Sequence, residues 1–359
     1  METHLLSRIK ELAAECLKAS ADNINISKVM GDASTRAYFR AQTDDSSVII
    51  SLYNAPFDER VWAVERLAAA EAQNPAARLT FASDPCAHIE TTVLFREAGL
   101  PVPRVLASSG ADHVLFIEDV GDTRLQDWLA GRSENELKEA YRRAVTMIVK
   151  IQEITKQATG ADSICSALAF DEAKLKYELG FFFANYINKY LGLKLDATTA
   201  NAINQDFKAL CSELAARPRV LTHRDYHARN LMMHNNELFI IDQQDARMGP
   251  ASYDVASLLR DPYAALDSKI ADEMTEFFIE LKAASTVPLE NLEEFRQELH
   301  LMTVQRMLKA IGTYAYQAAV MKNQSYVSYI EPAAKAALTS IEALGRFDTT
   351  RTLIEKAVS

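Results

Sequence analysis

A short polar loop between apolar segments constrains this chain more than any other part of its sequence. Residues 223–225 read His-Arg-Asp, and Asn230 follows Asp225 after four intervening residues. Two apolar runs then flank Asn235-Asn236, and asparagine tolerates the positive φ angles that a tight hairpin turn requires. A hairpin here returns Asp242, at the end of its second strand, to the loop that carries Asp225. The sequence therefore predicts that two carboxylates and an amide lie close together.

The chemistry of phosphoryl transfer explains this spacing. A carboxylate must accept or orient the proton of the attacking hydroxyl, and oxygen ligands must hold a metal that bridges the phosphates. Asp225 is the predicted base, and Asn230 and Asp242 are the predicted Mg²⁺ ligands. The H-R-D-x-x-x-x-N spacing is that of kinase catalytic loops. Either aspartate alone fits an ordinary turn residue, but the two in order, with a hairpin between them, favour catalysis.

Three further residues are predicted to organise this region. His223 is interpreted as a packed, hydrogen-bonded organiser of the loop rather than a proton donor. His227 either contacts substrate or braces Asp225. Asp254 lies in the first turn of a helix predicted after Gly249-Pro250, where a favourable interaction with the helix dipole is the simplest role.

The order of strand and helix patterns predicts an α+β protein with two lobes. A chain of 359 residues is longer than one core usually supports. β-rich runs at residues 36–42 and 47–53 form a predicted antiparallel hairpin, and a third run covers residues 113–120. Helical patterning dominates from there to the end of the chain. We therefore expect an ATP-binding lobe over residues 1–120 and a larger, mainly helical lobe over residues 121–359 that carries catalysis and substrate binding.

The formal net charge of −10 argues against partners that need a broad basic surface. Nucleic acid and anionic membranes both require such a surface, so neither is expected as a partner. No apolar run reaches about 18 residues, and the first residues lack a signal-peptide core. Cys16, Cys86, Cys165 and Cys211 lie far apart without C-x-x-C spacing, so neither a zinc site nor disulfides are predicted. A cytoplasmic location with reduced thiols fits this pattern.

The loop resembles that of the aminoglycoside phosphotransferase and choline kinase superfamily. The superfamily pattern H-x-D-x-H-x-x-N is matched by four residues: His223, Asp225, His227 and Asn230. The resemblance implies a bilobal, protein-kinase-like fold, with ATP as the phosphate donor and Mg²⁺ as the cofactor. It also implies that Asp242 binds Mg²⁺ and that Asp254 braces the loop. An ordinary protein kinase is excluded, because the chain has no G-x-G-x-x-G loop, V-A-I-K strand or A-P-E segment.

Within that superfamily, the chain is similar to bacterial kinases that phosphorylate the anomeric hydroxyl of N-acetylmuramate and N-acetylglucosamine in cell-wall recycling. Four segments carry this similarity: Gly31-Asp32-Ala33-Ser34 with Arg36, Tyr38, Phe39 and Arg40; HRDYHARNLM; QDARMGPASYDVASLLRDPY; and Gln305-Arg306 with Lys309 and Gly312. The resemblance implies an amino sugar as the small-molecule acceptor. The alternatives are a kinase for an aminoglycoside, choline or another amino alcohol, and a nucleotide-binding pseudokinase. Oligomeric state and acceptor stereochemistry stay open at this level.

The predicted phosphate-binding strand departs from the superfamily. Residues 47–53 contain no lysine, although kinases of this fold commonly use one there to hold the α- and β-phosphates. Arg36 and Arg40 are four residues apart on the adjacent strand, so their side chains share a face. We expect one of them to bind phosphate, with Glu90 on the next helix as its ion-pair partner; a solvated strand face is the alternative. In addition, Gln243 stands where an aromatic residue is frequent in the superfamily.

Two further segments are predicted to contact ATP. Gly31 provides backbone freedom beside the strand pair, so Gly31, Asp32 and Ser34 would cover the phosphates with their N–H groups. The run that ends at Glu118 leads into the boundary between the lobes, where the linker backbone of kinases of this fold pairs with adenine. Glu118 is therefore the candidate for the adenine edge, with a plain surface linker as the alternative.

Charged residues in and after the loop are the candidates for binding the acceptor. A carboxylated sugar needs a cation, whereas a polycationic aminoglycoside needs a cluster of acids. Arg306 and Lys309 share one helix face, and Gly312 one turn later permits a close approach. A solvated surface position is the alternative for any single residue. The full set of substrate-binding candidates is His227, Arg229, Asp245, Arg260, Asp261, Arg306 and Lys309.

Overall fold

A five-stranded antiparallel sheet forms the N-terminal part of the fold. The computed structural model describes residues 3–29, 36–81 and 84–358. The sheet has the strand order β1-β2-β3-β5-β4. Its strands are β1 (Asn25–Lys28), β2 (Ala37–Gln42), β3 (Ser47–Leu52), β4 (Val105–Ser109) and β5 (Val114–Glu118). β2 and β3 form the predicted hairpin, in which Gln42 pairs with Ser47.

The two faces of the sheet pack against different parts of the molecule, because successive side chains of a strand point to opposite sides. Ile50 and Phe116 are cross-strand partners on one face, where they form a small core with Ile9 and Ala13 of the first helix. Leu115, on the opposite face, joins the main core. The helices of this part are α1 (Thr3–Leu17), α2 (Ala63–Gln73), α3 (Ala77–Thr80) and α4 (Pro85–Glu97).

Two short strand pairs follow in the C-terminal part. The strands are β6 (Arg219–Thr222), β7 (Leu231–His234), β8 (Glu237–Ile240) and β9 (Arg247–Pro250), in which β6 pairs with β9 and β7 with β8. The turn between β7 and β8 is the predicted one, with positive φ at Asn235 (49°) and Asn236 (65°). β8 ends at Ile240, and the next residue, Ile241, donates its backbone N–H to the carbonyl oxygen of Asn230 at 3.0 Å. The hairpin thereby places Asp242 next to the loop between β6 and β7.

Helices make up the rest of the C-terminal part. They are α5 (Leu125–Trp128), α6 (Glu134–Glu153), α7 (Thr155–Gly160), α8 (Ile164–Ala167), α9 (Glu172–Phe182), α10 (Ala197–Ala215), α11 (Tyr253–Leu259), α12 (Ser268–Ala283), α13 (Leu292–Ala319), α14 (Ile330–Leu344) and α15 (Asp348–Val358). A π-helical segment, Phe183–Tyr190, continues α9. α13 packs against α9, α11 and α14. At Gly312 of α13, an added Cβ would lie 2.6 Å from Cα of Phe182, so the predicted close approach is made by the backbone of α9.

One hydrophobic core runs through both parts of the chain. Its buried residues extend from Tyr53 and Leu115, beside the sheet, to Ile354 in α15. The observed architecture confirms the predicted α+β class with a small sheet and a mainly helical remainder. The division after residue 120 stays a prediction, because the main core is continuous across it. Among the described residues, no helix is both long and apolar enough to span a membrane.

Candidate active site

Asp254 and His223 hold the loop between β6 and β7 in place. Asp254, in the first turn of α11, accepts hydrogen bonds from the backbone N–H groups of His223 (2.7 Å) and Arg224 (3.0 Å). The Nε2 atom of His223 lies 3.0 Å from the carbonyl oxygen of Ile241, so the ring joins the loop to the β7–β8 hairpin. Burial raises the pKa of Asp254 to about 7 and lowers the pKa of His223. Both residues thus contact the loop: a loop-organising role was expected for His223, and the family resemblance implied that Asp254 braces the loop.

Three cations surround the carboxylate of Asp225. Its Oδ1 accepts hydrogen bonds from Nζ of Lys309 (3.1 Å) and Nη1 of Arg306 (3.3 Å), and Nη1 of Arg224 lies 3.5 Å from Oδ2. Burial by itself raises the pKa of Asp225, but the charges of Lys309, Arg224 and Arg306 outweigh it and hold the pKa well below its usual value. Arg306 also donates to Ser257 (2.7 Å). Arg306 and Lys309 therefore fix an ionised carboxylate in one orientation.

Asn230 and Asp242 have the donor chemistry of a magnesium site. The Nδ2 of Asn230 donates to the carbonyl oxygen of Asp225 at 2.9 Å, so the amide oxygen is the atom left for a cation. Asp242 has a left-handed backbone (φ 67°), a conformation that costs free energy in a residue other than glycine. No group of three or more acidic, histidine or cysteine residues capable of holding a metal occurs among the described residues. Mg²⁺ commonly takes one or two protein oxygens and completes its shell with phosphates and water, so these two side chains are candidates to hold it.

Arg36 and Arg40 both line the cavity, but only Arg36 lies beside a candidate metal ligand. Nη2 of Arg36 donates to Oδ1 of Asp242 at 3.0 Å, and the Arg36 side chain is 7% exposed. Arg40 instead pairs with Asp119 at 2.6 Å and with Asp122 at 2.8 Å, in the linker that follows β5. Arg40 therefore ties β2 to the linker. Arg36 is the better placed of the two for a phosphate group bound next to Asp242.

The expected ion pair between Glu90 and one of these arginines is wrong. Glu90 accepts hydrogen bonds from the backbone N–H groups of Ala63 and Ile164, the first residues of α2 and α8. A carboxylate at a helix N-terminus satisfies N–H groups that have no partner inside the helix. Because Glu90 holds two such termini, it belongs to the packing of α4 and does not line the cavity.

A different residue of α4 does face the cavity, and sequence reasoning missed it. His88 is 5% exposed, and both of its ring nitrogens are buried without a hydrogen-bond partner in the part of the chain that the structure describes. It lines the cavity with Arg36 and Asp242, whose charges act on it. Burial lowers the pKa of His88 to about 3, so its ring is neutral near pH 7. No motif in the sequence distinguishes this histidine from one packed in a core.

The remaining nucleotide candidates are only partly covered by the structure. Gly31, Asp32 and Ser34 lie outside the described residues. Glu118 lines the cavity at the end of β5, and its carboxylate pairs with Arg104 (3.0 Å). The adenine-edge role of the Glu118 backbone stays a prediction.

An arginine packed among tyrosines forms another wall of the cavity. The guanidinium of Arg229 lies 3.9 Å from the centre of the Tyr263 ring and 5.0 Å from that of Tyr329, whose hydroxyl accepts a hydrogen bond from it at 2.9 Å. Nε of Arg229 donates to Gln126 at 2.9 Å. The ring of His227 packs edge-on against Tyr263 at 5.3 Å, and burial lowers the pKa of His227 to about 3. Neither tyrosine was predicted: Tyr263 ends a segment that carries the family resemblance but was given no role, and Tyr329 lies in a segment with no motif.

Two predicted substrate-binding residues, Arg260 and Asp261, do not line the cavity. Arg260 follows the end of α11 and pairs with Asp272 of α12 at 3.3 Å. Asp261 is buried and accepts hydrogen bonds from the N–H groups of Ala228 (2.8 Å) and Tyr263 (2.9 Å). Burial raises the pKa of Asp261 to about 6. Asp261 therefore braces the loop through the backbone of Ala228, and neither residue faces the cavity.

Asp245 lines the cavity but is committed to two cations. Its carboxylate forms ion pairs with Arg224 and with the fully buried Arg247. Arg224 in turn lies next to Asp225, so Asp245 limits the positive charge near the base. This internal pairing replaces the direct substrate contact expected from the sequence.

One cavity of about 850 Å³ brings the remaining site residues together. Ligand cavities commonly measure roughly 300 to 1,000 Å³, so its volume suits a nucleotide with a small acceptor. The predicted residues that line it are Arg36, Arg40, Glu118, Asp225, His227, Arg229, Asn230, Asp242, Asp245 and Lys309. Arg306 stands behind them and reaches the cavity through its bond to Asp225.

The fold and the cavity together define a kinase-like phosphotransferase for small molecules. The structure is similar to that of a choline kinase from Cryptosporidium parvum, with a TM-score of 0.61 and 11% identity over 99% of this chain and 98% of that one. It is also similar to ADP-bound aminoglycoside phosphotransferase APH(2'')-Ib, with a TM-score of 0.55 and 12% identity over 96% of this chain and 99% of that one. At these identities, the likeness concerns the fold.

The family model described as "Phosphotransferase enzyme family" matches residues 25–281, and the chain belongs to that family. A protein of Pseudomonas aeruginosa named N-acetylmuramate/N-acetylglucosamine kinase is 29% identical over 79% of this chain and 74% of its own length. A protein of Neisseria meningitidis serogroup B with the same name is 27% identical over 79% of this chain and 76% of its own length. The resemblance inferred from the sequence is confirmed. The chain is a phosphotransferase that acts on a hydroxyl, and its kinase relatives imply ATP as the donor.

Proposed function

We propose that this protein transfers the γ-phosphoryl group of MgATP to the anomeric hydroxyl of N-acetylmuramate or N-acetylglucosamine, giving a sugar 1-phosphate for cell-wall recycling. The observation that supports this most is the position of Asp225. Its carboxylate faces a single cavity that contains the candidate metal ligands Asn230 and Asp242 and also the tyrosine-packed Arg229. One base therefore lies within reach of both a nucleotide and a second small molecule.

The residues around Asp225 suit a reaction that depends on orientation. Phosphoryl transfer has a loose transition state, so a catalytic aspartate chiefly aligns the attacking hydroxyl and takes its proton late. Lys309 and Arg306 hold the Asp225 carboxylate ionised and immobile. A base that is already positioned needs no reorganisation when the acceptor binds.

Asn230 and Asp242 would hold Mg²⁺ through oxygen atoms. When bound, the metal would neutralise part of the negative charge on the β- and γ-phosphates during transfer. Arg36 donates a hydrogen bond to Asp242, so its guanidinium lies next to the candidate metal site. Guanidinium groups bind phosphate oxygens with two parallel hydrogen bonds, which makes Arg36 the candidate for the phosphate-binding cation.

The wall around Arg229 favours a sugar that carries a carboxylate or an amide over a polycation. Tyrosine rings offer flat apolar surfaces for the C–H faces of a sugar and hydroxyls for hydrogen bonds. Six lining residues belong to this wall or to the neighbouring stretch of α13. The wall contributes His227, Arg229, Tyr263 and Tyr326, whose ring centre lies 5.8 Å from the Arg229 guanidinium, and α13 contributes Lys309 and Thr313. These six include two cations and no carboxylate, the reverse of what an aminoglycoside requires. The names of the curated relatives agree with this choice.

The test is an ADP-release assay with a panel of acceptors and one matched pair. N-Acetylmuramate and N-acetylglucosamine are expected to give turnover, whereas the methyl glycoside of N-acetylglucosamine, whose anomeric oxygen is blocked, is expected to give none. Phosphorus NMR of the product should show a sugar 1-phosphate. N-Acetylgalactosamine, kanamycin and choline complete the panel, and the Asp225→Asn variant serves as the background.

Three outcomes would contradict the proposal in different ways. Turnover of the methyl glycoside at the rate of the free sugar would move the transfer to another hydroxyl. Turnover of kanamycin or choline alone would establish the alternative acceptor class. Binding of ATP without turnover of any acceptor would favour a nucleotide-binding pseudokinase. We place the reaction in the cytoplasm, where ATP is supplied and where the four free cysteines stay reduced.

A further inference from the structure

Helix α4 presents one buried polar side chain to the nucleotide side of the cavity. His88 lines the cavity together with Arg36 and Asp242, and only 5% of the residue is exposed. Neither of its ring nitrogens has a hydrogen-bond partner among the residues that the structure describes. Other polar groups of α4 are engaged: Thr92 accepts a hydrogen bond from Gln243 at 2.7 Å, and Glu90 holds two helix termini.

An unpartnered histidine in such a position is costly. A neutral imidazole has one N–H donor and one acceptor nitrogen, and burial of either without a partner loses the hydrogen bonds it made with water. A leucine would occupy a similar volume without that cost. The side chain thus has hydrogen-bonding capacity that the protein itself leaves unused, and the cavity is the place where a ligand can use it.

The charges that face His88 indicate which part of a ligand reaches it. Arg36 and Asp242 are the charged groups that act on its ring, and they are the candidates for phosphate and Mg²⁺ binding. The phosphate end of a nucleotide is therefore the part that comes near the ring, whereas the linker around Glu118 belongs to the adenine end. Because the ring is neutral, its N–H adds a directed donor without adding charge.

We propose that His88 is a nucleotide-binding residue whose ring N–H donates to a phosphate oxygen of ATP, next to Arg36. This inference rests on the proposed use of MgATP and goes beyond it by naming the α4 residue that contacts the nucleotide. In this chain, an arginine before β2 and a neutral histidine on α4 take over phosphate contacts from the lysine that β3 lacks.

The test compares nucleotides that differ only in their phosphates. Calorimetric binding of MgATP, MgADP and adenosine is measured without any acceptor for the wild type and for His88→Leu, His88→Gln and Glu90→Gln. A hydrogen bond to a charged group implies that His88→Leu weakens MgATP binding by about 10- to 100-fold. Adenosine affinity is expected to stay the same. His88→Gln, which keeps an N–H donor, should recover part of the loss, and Glu90→Gln on the same helix should bind MgATP like the wild type.

A second measurement separates direct contact from a structural role. In protein labelled with ¹⁵N at histidine, the ring nitrogens of His88, assigned by their loss in His88→Leu, should shift on addition of MgATP and not on addition of adenosine. The melting temperature of nucleotide-free His88→Leu should equal or exceed that of the wild type, because an unpartnered polar group has been removed.

The inference is overturned if His88→Leu binds MgATP as tightly as the wild type, or if it loses affinity for adenosine and MgATP equally. Either result would leave the proposed transfer reaction intact. Failure of the wild type to bind MgATP would instead overturn the proposed function, and this inference with it.

Discussion

Arg36 and Asp242 form an ion pair of 3.0 Å across 206 positions of the chain. The arginine directly precedes β2 in the N-terminal sheet, and the aspartate follows the β7–β8 hairpin in the C-terminal part. The pair places a cation beside a candidate metal ligand on the same cavity wall. Burial by itself raises the pKa of Asp242, but the charge of Arg36 and a hydrogen bond from Gln244 together outweigh it and lower the pKa below its usual value, so the carboxylate stays ionised. Arg36, which directly precedes β2, thus places a positive charge at the candidate metal site although β3 contains no lysine.

Replacement of Arg36 should impair the use of ATP more than replacement of Arg40. We expect Arg36→Ala to lower kcat/KM for ATP by about tenfold or more, since hydrogen bonds to charged groups contribute about 1.5 to 3 kcal/mol. Arg40→Ala should have a smaller effect, because Arg40 is already paired with Asp119 and Asp122. Steady-state kinetics with varied ATP, alongside melting temperatures, would measure both. Equal losses in the two variants would refute the assignment of phosphate binding to Arg36.

Asp225→Asn should stop catalysis while leaving nucleotide binding. Loss of a general base commonly lowers the rate by about 10²- to 10⁴-fold, and the amide cannot take a proton. The variant also leaves Lys309 and Arg306 without their anion, so a moderate decrease in melting temperature is expected. ADP release and calorimetric MgATP binding are measured on the same preparation. Retention of more than a tenth of the wild-type rate would remove Asp225 from the role of base.

Stabilisation by ATP should depend on Mg²⁺ through Asp242. At a free ligand concentration of 100 Kd, a nucleotide raises the free energy of unfolding by about 2.7 kcal/mol. Addition of EDTA should remove most of this gain in the wild type. Asp242→Asn should show little difference between Mg²⁺ and EDTA, because one metal ligand has lost its charge. Thermal unfolding with and without Mg²⁺ tests this, and an unchanged Mg²⁺ dependence in Asp242→Asn would contradict the assignment.

The burial of His88 should make stability depend on pH below pH 6.5. Burial lowers the folded-state pKa of His88 from 6.5 to about 3, so the unfolded chain binds one more proton between these values. The contribution of His88 to the free energy of unfolding is therefore greatest above pH 6.5 and decreases as the pH falls below that value. From pH 7 to pH 5, the wild type should lose about 2 kcal/mol of unfolding free energy relative to His88→Leu. Urea unfolding of the wild type and His88→Leu at several pH values measures the difference. If the free energy of unfolding changed with pH equally in both proteins, His88 would bind its proton in the folded state as readily as in the unfolded chain, and the prediction would be wrong.

Gly312→Ala should destabilise the fold, and a glycine of the facing helix provides the control. A Cβ at Gly312 would lie 2.6 Å from Cα and 2.9 Å from N of Phe182, so α9 and α13 would have to separate. Such overpacking costs about 1 to 3 kcal/mol. At Gly180 of α9, a Cβ meets no described atom within 4 Å, and Gly180→Ala should stabilise by about 0.5 to 1 kcal/mol. A melting temperature of Gly312→Ala at or above that of the wild type would refute this account.

Much of the fold was predictable because its strongest elements have regular patterns. The β2–β3 hairpin, the Asn235-Asn236 turn and helix α11, which follows Gly249-Pro250, all lie where the residue patterns indicated. The strands β1, β4, β6 and β9 were not predicted. β6 and β9 pair with each other across a long stretch of chain, and β1 and β4 lack strict alternation of apolar and polar residues, so tertiary context rather than local pattern determines their conformation.

The site was predictable where function depends on spacing and not where it depends on packing. The loop residues Asp225 and Asn230 come together with Asp242 because a short hairpin joins them. The roles of Glu90, Arg260 and Asp261 were wrong because each side chain found a partner that sequence distance conceals. His88 and the tyrosines around Arg229 were missed for the same reason.

By itself, the sequence determined the reaction class, because His223, Asp225, Asn230 and Asp242 are close in the chain and their order carries the chemistry. Only the tertiary structure decided which carboxylate each charged residue pairs with. Arg40 pairs with Asp119 and Asp245 with Arg247, whereas Arg36 pairs with the candidate metal ligand Asp242 and Lys309 with the candidate base Asp225. The physical reason is that a buried charge must be paired, and the partner is chosen by the fold rather than by position in the sequence.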